Sequence, residues 1–554
     1  MTILAFHSSI YSMSNYKDHG HLQNSSKEDA GIISPTWLKQ AVFYQIYPQS
    51  FYDTNGDGIG DIPGIIQKLD YLQWLGINAV WINPCFVSPF QDGGYDVSDY
   101  YRIAPRYGTN RDLYRLCREA HRRGIRVCLD LVAGHTSVDH PWFKASCLSS
   151  RNKYSDRYIW TSSAISDTDV PLSLIRGYSD RDGNYAANCF YFQPALNYGF
   201  AKPAANQSWQ QSVNATGPLE TRKELIRIMN YWLVHGIDGF RVDMAFSLVK
   251  LDPGRKETIR LWQDIIQKVR QLYPDMALIS EWGNPEEAIA AGFDIDFVLP
   301  FGVGGYTDLM LNEKSYFRRR SGGNIRDFLK LYLEQAARVN GKGMISIPSA
   351  NHDVKRPCAD GRTIRDLKVL FTFLLTWPGV PFIYYGDEIG MRYIPRLASK
   401  EGGYERTGTR TPMQWDDKPN AGFSTADKDR LYLPLDLRRN RPTVERQASD
   451  PGSLLNHVRD LIALRRCSPA LKADGTLIPL PVENNDHYFA YLRQAAGERF
   501  LIVLNPSAEP SSVRINGIKP GNLSPQICHG AQAYVEGDDI QIKLAGVSYG
   551  VFKL

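Results

Sequence analysis

The sequence predicts an α/β protein built on a closed (β/α)8 barrel, with a domain inserted after the third strand and an antiparallel β domain at the C-terminal end. Three observations support this fold. Eight short apolar runs alternate with helical patterns, one long polar stretch interrupts them, and short strands separated by turns follow from residue 473 onward. Eight parallel strands favour a barrel over an open sheet, because a sheet of that size closes around its side chains.

The strand candidates are short runs rich in apolar and β-branched residues, bounded by polar or turn-forming residues. The run IRVCLDLV at 125–132 has the length and apolarity of a parallel strand that is buried on both faces. The eight strands are expected within 41–48, 79–84, 125–132, 237–243, 277–282, 293–301, 343–353 and 380–388.

Helical periodicity separates these strands. In 110–124 apolar residues recur at helical spacing, and Gly124 is a candidate for the C-terminal cap. Thr221 and Glu224 have the spacing of a capping box for a helix over 221–236. Further helices are expected at 62–76 and 454–467.

Composition divides the chain of 554 residues into four parts. Residues 1–36 are polar and aperiodic, and we expect a loose tail. Residues 134–217 are rich in Ser, Asp, Asn, Tyr and Gly without a strong period, which indicates an irregular insertion. The barrel then comprises 37–133 and 218–472, and 473–554 is expected to form a small β-sandwich domain.

Charge and hydropathy exclude several classes of protein. The net charge of +5 arises from 64 basic and 59 acidic residues that form no clear basic face, so no nucleic-acid partner is expected. The eight cysteines include no CxxC pair, which favours reduced thiols over a zinc site. No apolar run is long enough to span a membrane, and the first residues lack the basic region of a signal peptide. We therefore expect a cytoplasmic protein without a membrane partner.

Polar residues cluster at the predicted C-terminal ends of the strands, where the site of such a barrel lies. Each of them by itself could cap a helix or form a structural ion pair, but together they predict a site at one mouth of the barrel. The candidates are Asp130, His135, Arg241, Asp243, Glu281, His352 and Asp353.

The segment DTNGDGIGD at 53–61 has the spacing of a calcium-binding loop, with oxygen-bearing side chains at Asp53, Asn55 and Asp57. Its twelfth position is Gly64 rather than the bidentate Glu of an EF-hand, so a calcium sensor is not expected. A metal-free loop closed by side chain–backbone hydrogen bonds is the alternative.

Several motifs carry a resemblance to a known family. DLVAGH, GFRVD, SEWG and SANHD, in this order, resemble the sequence blocks of the α-amylase family of glycoside hydrolases, family thirteen. GGYDVSDY, RTPMQWD and NAGFS are similar to its α-glucosidase and oligo-1,6-glucosidase branch. The resemblance runs from about residue 40 to the end, and implies a TIM barrel, a B domain inserted after strand three and a C-terminal β domain. It implies an enzyme that removes non-reducing-end glucose, with retention, from short oligosaccharides or disaccharides.

The resemblance implies roles for three carboxylates. Asp243 matches the nucleophile, Glu281 the general acid/base that must keep a proton near neutral pH, and Asp353 the carboxylate that binds sugar hydroxyls. A retaining pair requires a separation of about 5–5.5 Å between the two reacting carboxyl groups. Arg241 lies two residues before Asp243 on the same strand, so it should face the same way and hold Asp243 ionised.

The substrate-binding residues follow from the same resemblance. His135 and His352 match histidines that hydrogen-bond the sugar, and Tyr95 would offer a stacking face. Asp96 and Arg410 match residues that close the pocket around the terminal glucose, which implies exo action.

For the loop at 53–61 the resemblance implies one structural calcium ion and no organic cofactor. The implied ligands are the side chains of Asp53, Asn55, Asp57 and Asp61 and the backbone carbonyl of Ile59.

Three departures from the family pattern concern Gly134, Ala195 and Met244. Gly134 stands where many relatives have Asn, which weakens an amylase-type calcium site between the barrel and the B domain. Ala195 replaces a common Asp, and Met244 follows the nucleophile where smaller residues are usual, so linkage preference does not transfer by analogy.

Two alternatives remain beside the hydrolase. A transglucosylase or isomerase of the trehalose-synthase or sucrose-isomerase kind would use the same glucosyl-enzyme with a sugar hydroxyl as acceptor. A non-catalytic partner resembling the glycosidase-like parts of amino-acid transporter heavy chains would predict a transmembrane segment and eroded catalytic positions, and the sequence contains neither feature. The oligomeric state does not follow from the sequence.

Overall fold

A computed structural model of the protein describes residues 34–165, 170–481, 487–518, 521 and 523–554. The predicted tail lies outside the described residues, apart from its last three positions.

The barrel prediction is confirmed. Eight parallel strands pair in chain order, and a parallel bridge between Pro348 and Phe382 joins the last strand to the segment after the seventh. The strands are shorter than the apolar runs that predicted them, and several runs, such as 343–353, continue into the loop after the strand. They are β1 (Phe43–Ile46), β2 (Ala79–Ile82), β5 (Arg126–Val132), β8 (Gly239–Asp243), β9 (Ala277–Ser280), β10 (Ile295–Phe297), β11 (Met344–Ser346) and β12 (Phe382–Tyr384).

Aromatic rings fill the interior of the barrel. Phe43 stacks on Phe382 with ring centroids 4.5 Å apart, Phe297 packs edge-on against Phe382 at 4.7 Å, and Trp81 lies 6.1 Å from Phe297. All four side chains are at most 3% exposed. This packed core supports the polar residues at the C-terminal ends of the strands, so the barrel is a scaffold and not a channel.

The helices follow the predicted periodicity with two corrections. The pattern at 62–76 gives two helices that meet at Lys68. The capping box expected at Thr221 is wrong, since its helix begins at Thr216 and the Thr221 hydroxyl donates to the carbonyl of Gly217. The α-helices are α1 (Ile62–Gln67), α2 (Leu69–Leu75), α3 (Asn110–Arg122), α4 (Pro141–Ser146), α5 (Thr216–Val234), α6 (Lys256–Arg270), α7 (Pro285–Ala290), α8 (Arg326–Val339), α9 (Ile364–Thr376), α10 (Val444–Ala448) and α11 (Leu454–Cys467).

The inserted domain lies between β5 and α5. It contains the antiparallel pair β6 (Ser173–Ile175) and β7 (Tyr185–Ala187), and a second hairpin, β3 (Phe86–Val87) with β4 (Asp99–Ile103), follows β2. Ala195 is fully buried in a small apolar cluster of this domain and forms a bridge with His135, which attaches the insertion to the barrel mouth. An Asp at position 195 would place a charge in that cluster.

The C-terminal domain is antiparallel, as predicted, and hydrogen bonds connect all of its strands; its description as a sandwich stays a prediction. The long strand β18 pairs with β15 through one half and with β16 through the other, and β17 follows it along both halves. The strands are β13 (Thr476–Pro479), β14 (Phe489–Ala495), β15 (Glu498–Asn505), β16 (Ser511–Ile515), β17 (Ser524–Glu536) and β18 (Asp539–Lys553).

Among the described residues, no helix has both the length and the apolar character that crossing a membrane requires.

Candidate active site

Strand register brings the acidic residues of three adjacent strands together. Asp130 pairs with Arg241 across β5 and β8, and Asp243 is the last residue of β8. Val242 pairs with Ser280, so Glu281 follows directly beside Asp243 at the mouth. The C-terminal ends of parallel strands point to one side, which explains why residues far apart in sequence meet here.

The guanidinium of Arg241 contacts three carboxylates. Its Nη1 lies 2.8 Å from Asp130 Oδ1 and 3.1 Å from Asp243 Oδ1, and its Nη2 lies 2.8 Å from Glu281 Oε1. Arg241 is 2% exposed and lies 5.0 Å from the ring of Trp81. Burial by itself would lower the pKa of Arg241, but the surrounding carboxylates raise it, so the side chain is a permanent cation.

One cation does not balance three buried carboxylates. Burial and then the neighbouring Glu281 raise the pKa of Asp243 well above its usual range, although Arg241 opposes them. Arg241 acts in the predicted direction, since its charge lowers the pKa of Asp243, but burial and the charge of Glu281 outweigh it. Glu281 accepts hydrogen bonds from Arg241 and from the backbone N–H of Met244, at 3.0 Å for the latter. These contacts hold the Asp243 and Glu281 carboxyl groups side by side on one cation, where the two can act on the same bond.

Asp353 lies among three donors. His352 Nε2 is 3.1 Å from Asp353 Oδ2, and Arg406 Nη1 and Arg410 Nη2 contact Oδ1 at 2.8 and 3.0 Å. Burial alone would raise the pKa of Asp353, but His352, Arg406 and Arg410 together hold it well below its usual range. Asp353 is therefore ionised and able to accept hydrogen bonds from sugar hydroxyls.

Two amides fix the orientation of His352. The side-chain nitrogens of Gln45 and Asn83 lie 3.0 and 3.1 Å from its Nδ1 and donate to it. Since Nδ1 accepts from both amides, the proton lies on Nε2, which donates to Asp353. Tyr95 stacks on His352 with centroids 5.2 Å apart, and its hydroxyl donates to Asp130 at 2.9 Å.

Asp96 does not reach the pocket. It is fully buried and accepts hydrogen bonds from Ser88 Oγ and from the backbone N–H groups of Gln91 and Asp92, at 2.9–3.1 Å. Burial raises the pKa of Asp96 to about 6. This side chain shapes its own loop, and the prediction that it faces the terminal glucose is wrong.

The sequence reasoning missed Asp92 and Arg406, which occupy the place expected of Asp96. Arg406 Nη2 lies 3.1 Å from Asp92 Oδ1, and Gln193 of the inserted domain donates to Asp92 Oδ2 at 2.9 Å. Arg406 also contacts Asp353, so one guanidinium joins the two carboxylates. The segment ERTGTR, with two arginines four residues apart, was the sequence feature that could have indicated Arg406.

Arg410 is buried and contacts the backbone beside Asp353 as well as the Asp353 carboxylate. Its Nε donates to the carbonyl of His352 at 2.9 Å and its Nη1 to the hydroxyl of Tyr47 at 3.3 Å. These bonds hold the chain at His352–Asp353, so both sides of that dipeptide are fixed.

His135 lies beside Tyr95, at the mouth of the barrel where the sequence places it. Its Nε2 is 3.1 Å from the carbonyl of Tyr95 and its Nδ1 is 3.2 Å from the side-chain nitrogen of Asn188. Burial lowers the pKa of His135 to about 4, so the ring is neutral. Its role toward a sugar stays a prediction.

The loop at 53–61 closes through hydrogen bonds. Asp53 accepts four of them, from the backbone N–H groups of Asn55, Gly56 and Gly58 and from Ser424 Oγ in the NAGFS segment. Asp61 accepts from Gly64 N–H and caps α1.

The ligand set has the oxygen chemistry that calcium needs, but the arrangement differs from a metal site. Asn55 and Asp57 accept from the backbone N–H groups of Asp57 and Ile59 at 2.9 and 2.8 Å. Over the part of the chain that the structure describes, no group of three or more His, Cys, Asp or Glu side chains is arranged to hold a metal ion. The calcium ion stays a prediction.

Comparison with known proteins agrees with this geometry. The family model of the α-amylase catalytic domain matches residues 45–474, which is most of the chain and includes every site residue described above. The chain belongs to the α-amylase family of glycoside hydrolases. Its relatives include proteins named as glucosidases and proteins named as disaccharide synthases.

Two curated relatives represent these two groups. The trehalose synthase/amylase of Mycobacterium tuberculosis is 32% identical over 569 residues, covering 92% of this chain and 90% of the relative. The oligo-1,6-glucosidase of Parageobacillus thermoglucosidasius is 31% identical over 550 residues, covering 86% and 92%. Among solved structures, the trehalulose synthase of Pseudomonas mesoacidophila MX-45 superposes with a TM-score of 0.78 at 29% identity, covering 93% of this chain and 99% of that one.

Proposed function

We propose that the protein is a retaining α-glucosidase that removes non-reducing-end glucose from short α-glucosides. The observation that carries the proposal is the placement of Asp243 and Glu281 on the two nitrogens of one guanidinium, at 3.1 and 2.8 Å. Two carboxylates held in this way are close neighbours, which favours the separation of about 5–5.5 Å of a retaining pair over the 6.5–9.5 Å of an inverting pair.

The proposed reaction has two displacements. In the first, an Asp243 oxygen bonds to the anomeric carbon while Glu281 transfers its proton to the leaving oxygen, so the glycosidic bond breaks and a glucosyl ester forms. In the second, Glu281 accepts a proton from water, the water oxygen bonds to the anomeric carbon, and Asp243 leaves as a carboxylate. Glu281 has to be protonated before the first displacement, because it donates this proton to the leaving oxygen.

The pocket favours a neutral sugar over an anionic or cationic ligand. On the side of the pocket around Asp353, the two carboxylates of Asp92 and Asp353 contact the guanidiniums of Arg406 and Arg410, so donors and acceptors alternate there and the charges balance. Sugar hydroxyls both donate and accept, which suits such a ring of groups. The contact of Gln193 with Asp92 covers the pocket from the inserted domain, in keeping with exo action on short substrates.

A panel of α-linked disaccharides tests the proposal. We expect hydrolysis of at least one of maltose, isomaltose, sucrose and trehalose, with two glucose molecules released per maltose, isomaltose or trehalose, or one glucose and one fructose per sucrose, and with the products resolved by chromatography. Asp243→Ala should abolish this release, and unchanged turnover in that variant would overturn the assignment of the nucleophile.

A second candidate is a transglucosylase or isomerase that passes the glucosyl group to a sugar hydroxyl. The trehalose synthase/amylase relative and the trehalulose synthase structure favour it, because each covers more than nine-tenths of this chain. The two activities differ in whether water reaches the glucosyl ester. Conversion of one disaccharide into another with little free glucose would decide for the transferase.

We also propose a structural divalent cation at the loop 53–61. Asp53, Asp57 and Asp61 supply oxygen donors there, and the neighbouring NAGFS segment holds the loop against the barrel through Ser424. Occupancy would require Asp53 to exchange some of its backbone hydrogen bonds for the ion.

A further inference from the structure

We infer that Asn188, a residue of the inserted domain, is a positioning residue that fixes the tautomer of His135 and the loop after Asp243. The inference rests on the proposed function only in that His135 is assigned to the substrate pocket. Its evidence is a continuous chain of hydrogen bonds from the pocket to a lysine behind it.

This chain of hydrogen bonds begins at a backbone carbonyl, which can only accept. The carbonyl of Tyr95 lies 3.1 Å from His135 Nε2, so this nitrogen carries the proton. His135 is buried and neutral, and its Nδ1 is therefore a bare acceptor that needs a donor. The side-chain nitrogen of Asn188, at 3.2 Å, is the donor that the structure gives it.

Lys250 fixes which way the amide of Asn188 points. Its Nζ donates to Asn188 Oδ1 at 2.9 Å and to the carbonyl of Ser247 at 2.6 Å. A rotated amide would bring its nitrogen against the lysine and its oxygen against His135 Nδ1, and both contacts would be lost. The lysine thus selects the amide orientation, and the amide selects the histidine tautomer.

Asn188 also contacts the segment that follows Asp243. Its Nδ2 lies 3.4 Å from Ser247 Oγ and 4.0 Å from the sulfur of Met244. The Ser247 hydroxyl in turn donates to the carbonyl of Met244 at 2.8 Å, and Met244 adopts the left-handed conformation with a φ of 41°. Since the Met244 N–H donates to Glu281, this segment reaches the acid/base directly.

Gly134 makes room for this arrangement. A Cβ at position 134 would stand 2.9 Å from Asn188 Nδ2 and 3.3 Å from Ser247 Oγ. Any larger residue would have to displace the amide from His135. The glycine and the asparagine are therefore complementary, and Gly134, Asn188 and Lys250 form one unit.

The tautomer of His135 is the direct test, and it needs no substrate. The protein is labelled with ¹⁵N-histidine, and the signals of His135 are identified by their loss in His135→Gln. We expect a bare Nδ1 and a protonated Nε2 in the wild type. Asn188→Asp, which offers only acceptor oxygens, should protonate Nδ1. A protonated Nδ1 in the wild type, or an unchanged tautomer in this variant, would overturn the inference.

Two further variants change the other residues that hold Asn188 in place. Lys250→Met should release the amide and broaden or shift the His135 signals, and Gly134→Ala should do so by displacing Asn188. The control is Asn184→Asp, since Asn184 is another amide of the inserted domain but donates to the carbonyl of Ser163. It should leave the His135 signals unchanged; a change equal to that of Asn188→Asp would contradict a specific role for Asn188.

Activity provides the second readout. Once a substrate is known, Asn188→Asp and Gly134→Ala should lower kcat/KM by about 100-fold, because a displacement of about 1 Å at a catalytic constellation costs that much. Unchanged melting temperatures would separate this loss from unfolding. If the disaccharide panel yields no product, the tautomer measurement still decides the inference by itself.

Discussion

Replacement of Arg241 by methionine should destabilise the protein in a way that grows with pH. Arg241 is 2% exposed and contacts Asp130, Asp243 and Glu281 at 2.8, 3.1 and 2.8 Å. Removal of one partner from a single buried ion pair costs about 3–5 kcal/mol. Here three carboxylates lose their cation, so the loss should reach or exceed the upper end of that range near neutral pH.

The pH dependence follows from the direction of the pKa shift. Burial and Glu281 already raise the pKa of Asp243 in the folded state, and Arg241 opposes them. Methionine removes that opposition and raises the folded-state pKa further, while the unfolded value stays near 3.9. A group with a raised folded pKa stabilises the fold below its unfolded pKa and loses that contribution as the pH rises through the folded value. Each added pKa unit costs about 1.4 kcal/mol at high pH.

Urea unfolding followed by tryptophan fluorescence at about pH 5 and about pH 8 measures this effect. The control is Arg356→Met, because Arg356 is equally buried but contacts the single carboxylate of Asp387 at 2.8 Å. Arg241→Met should lose more stability than Arg356→Met, and the excess should be larger at the higher pH. Equal losses in the two variants, or a deficit independent of pH, would refute the charge argument.

Three further outcomes are expected. Glu281→Gln should lower kcat by about 10²–10⁴-fold for sugars with poor leaving groups and less for nitrophenyl glucosides, which need no proton; equal losses would exclude the acid role. Asp92→Asn and Arg406→Gln should each lower kcat/KM by about 10–100-fold, as expected for lost hydrogen bonds to charged groups, whereas Asp96→Asn should lower the melting temperature instead. A chelator should lower the melting temperature of the wild type but not of Asp57→Ala; a wild-type melting temperature that does not change would count against the cation.

The strand pattern and the order of the motifs were readable because they depend on local periodicity. Apolar runs such as 125–132 have to be strands buried on both faces, and the residues at their C-terminal ends have to meet at one mouth. Asp243, Glu281 and Asp353 were therefore predictable as neighbours before any contact was known.

The loops were less predictable, because the direction of a loop side chain depends on turns. Gly93 and Gly94 both adopt positive φ, at 57° and 103°, and reverse the chain between Asp92 and Asp96. The reversal sends Asp92 into the pocket and turns Asp96 onto its own backbone. Either carboxylate fitted the motif, and no spacing rule separates them.

The sequence by itself determined the barrel, its eight strands and the carboxylates at the mouth, since these follow from hydrophobic period and chain order. Only the tertiary structure decided which charges are paired and which side chains hold the histidines. Those properties depend on distances of about 3 Å between residues such as Arg241 and Glu281, or Asn188 and His135, that are far apart in the chain. Burial then sets the energy of each contact, because a low dielectric strengthens every charge that is paired and penalises every one that is not.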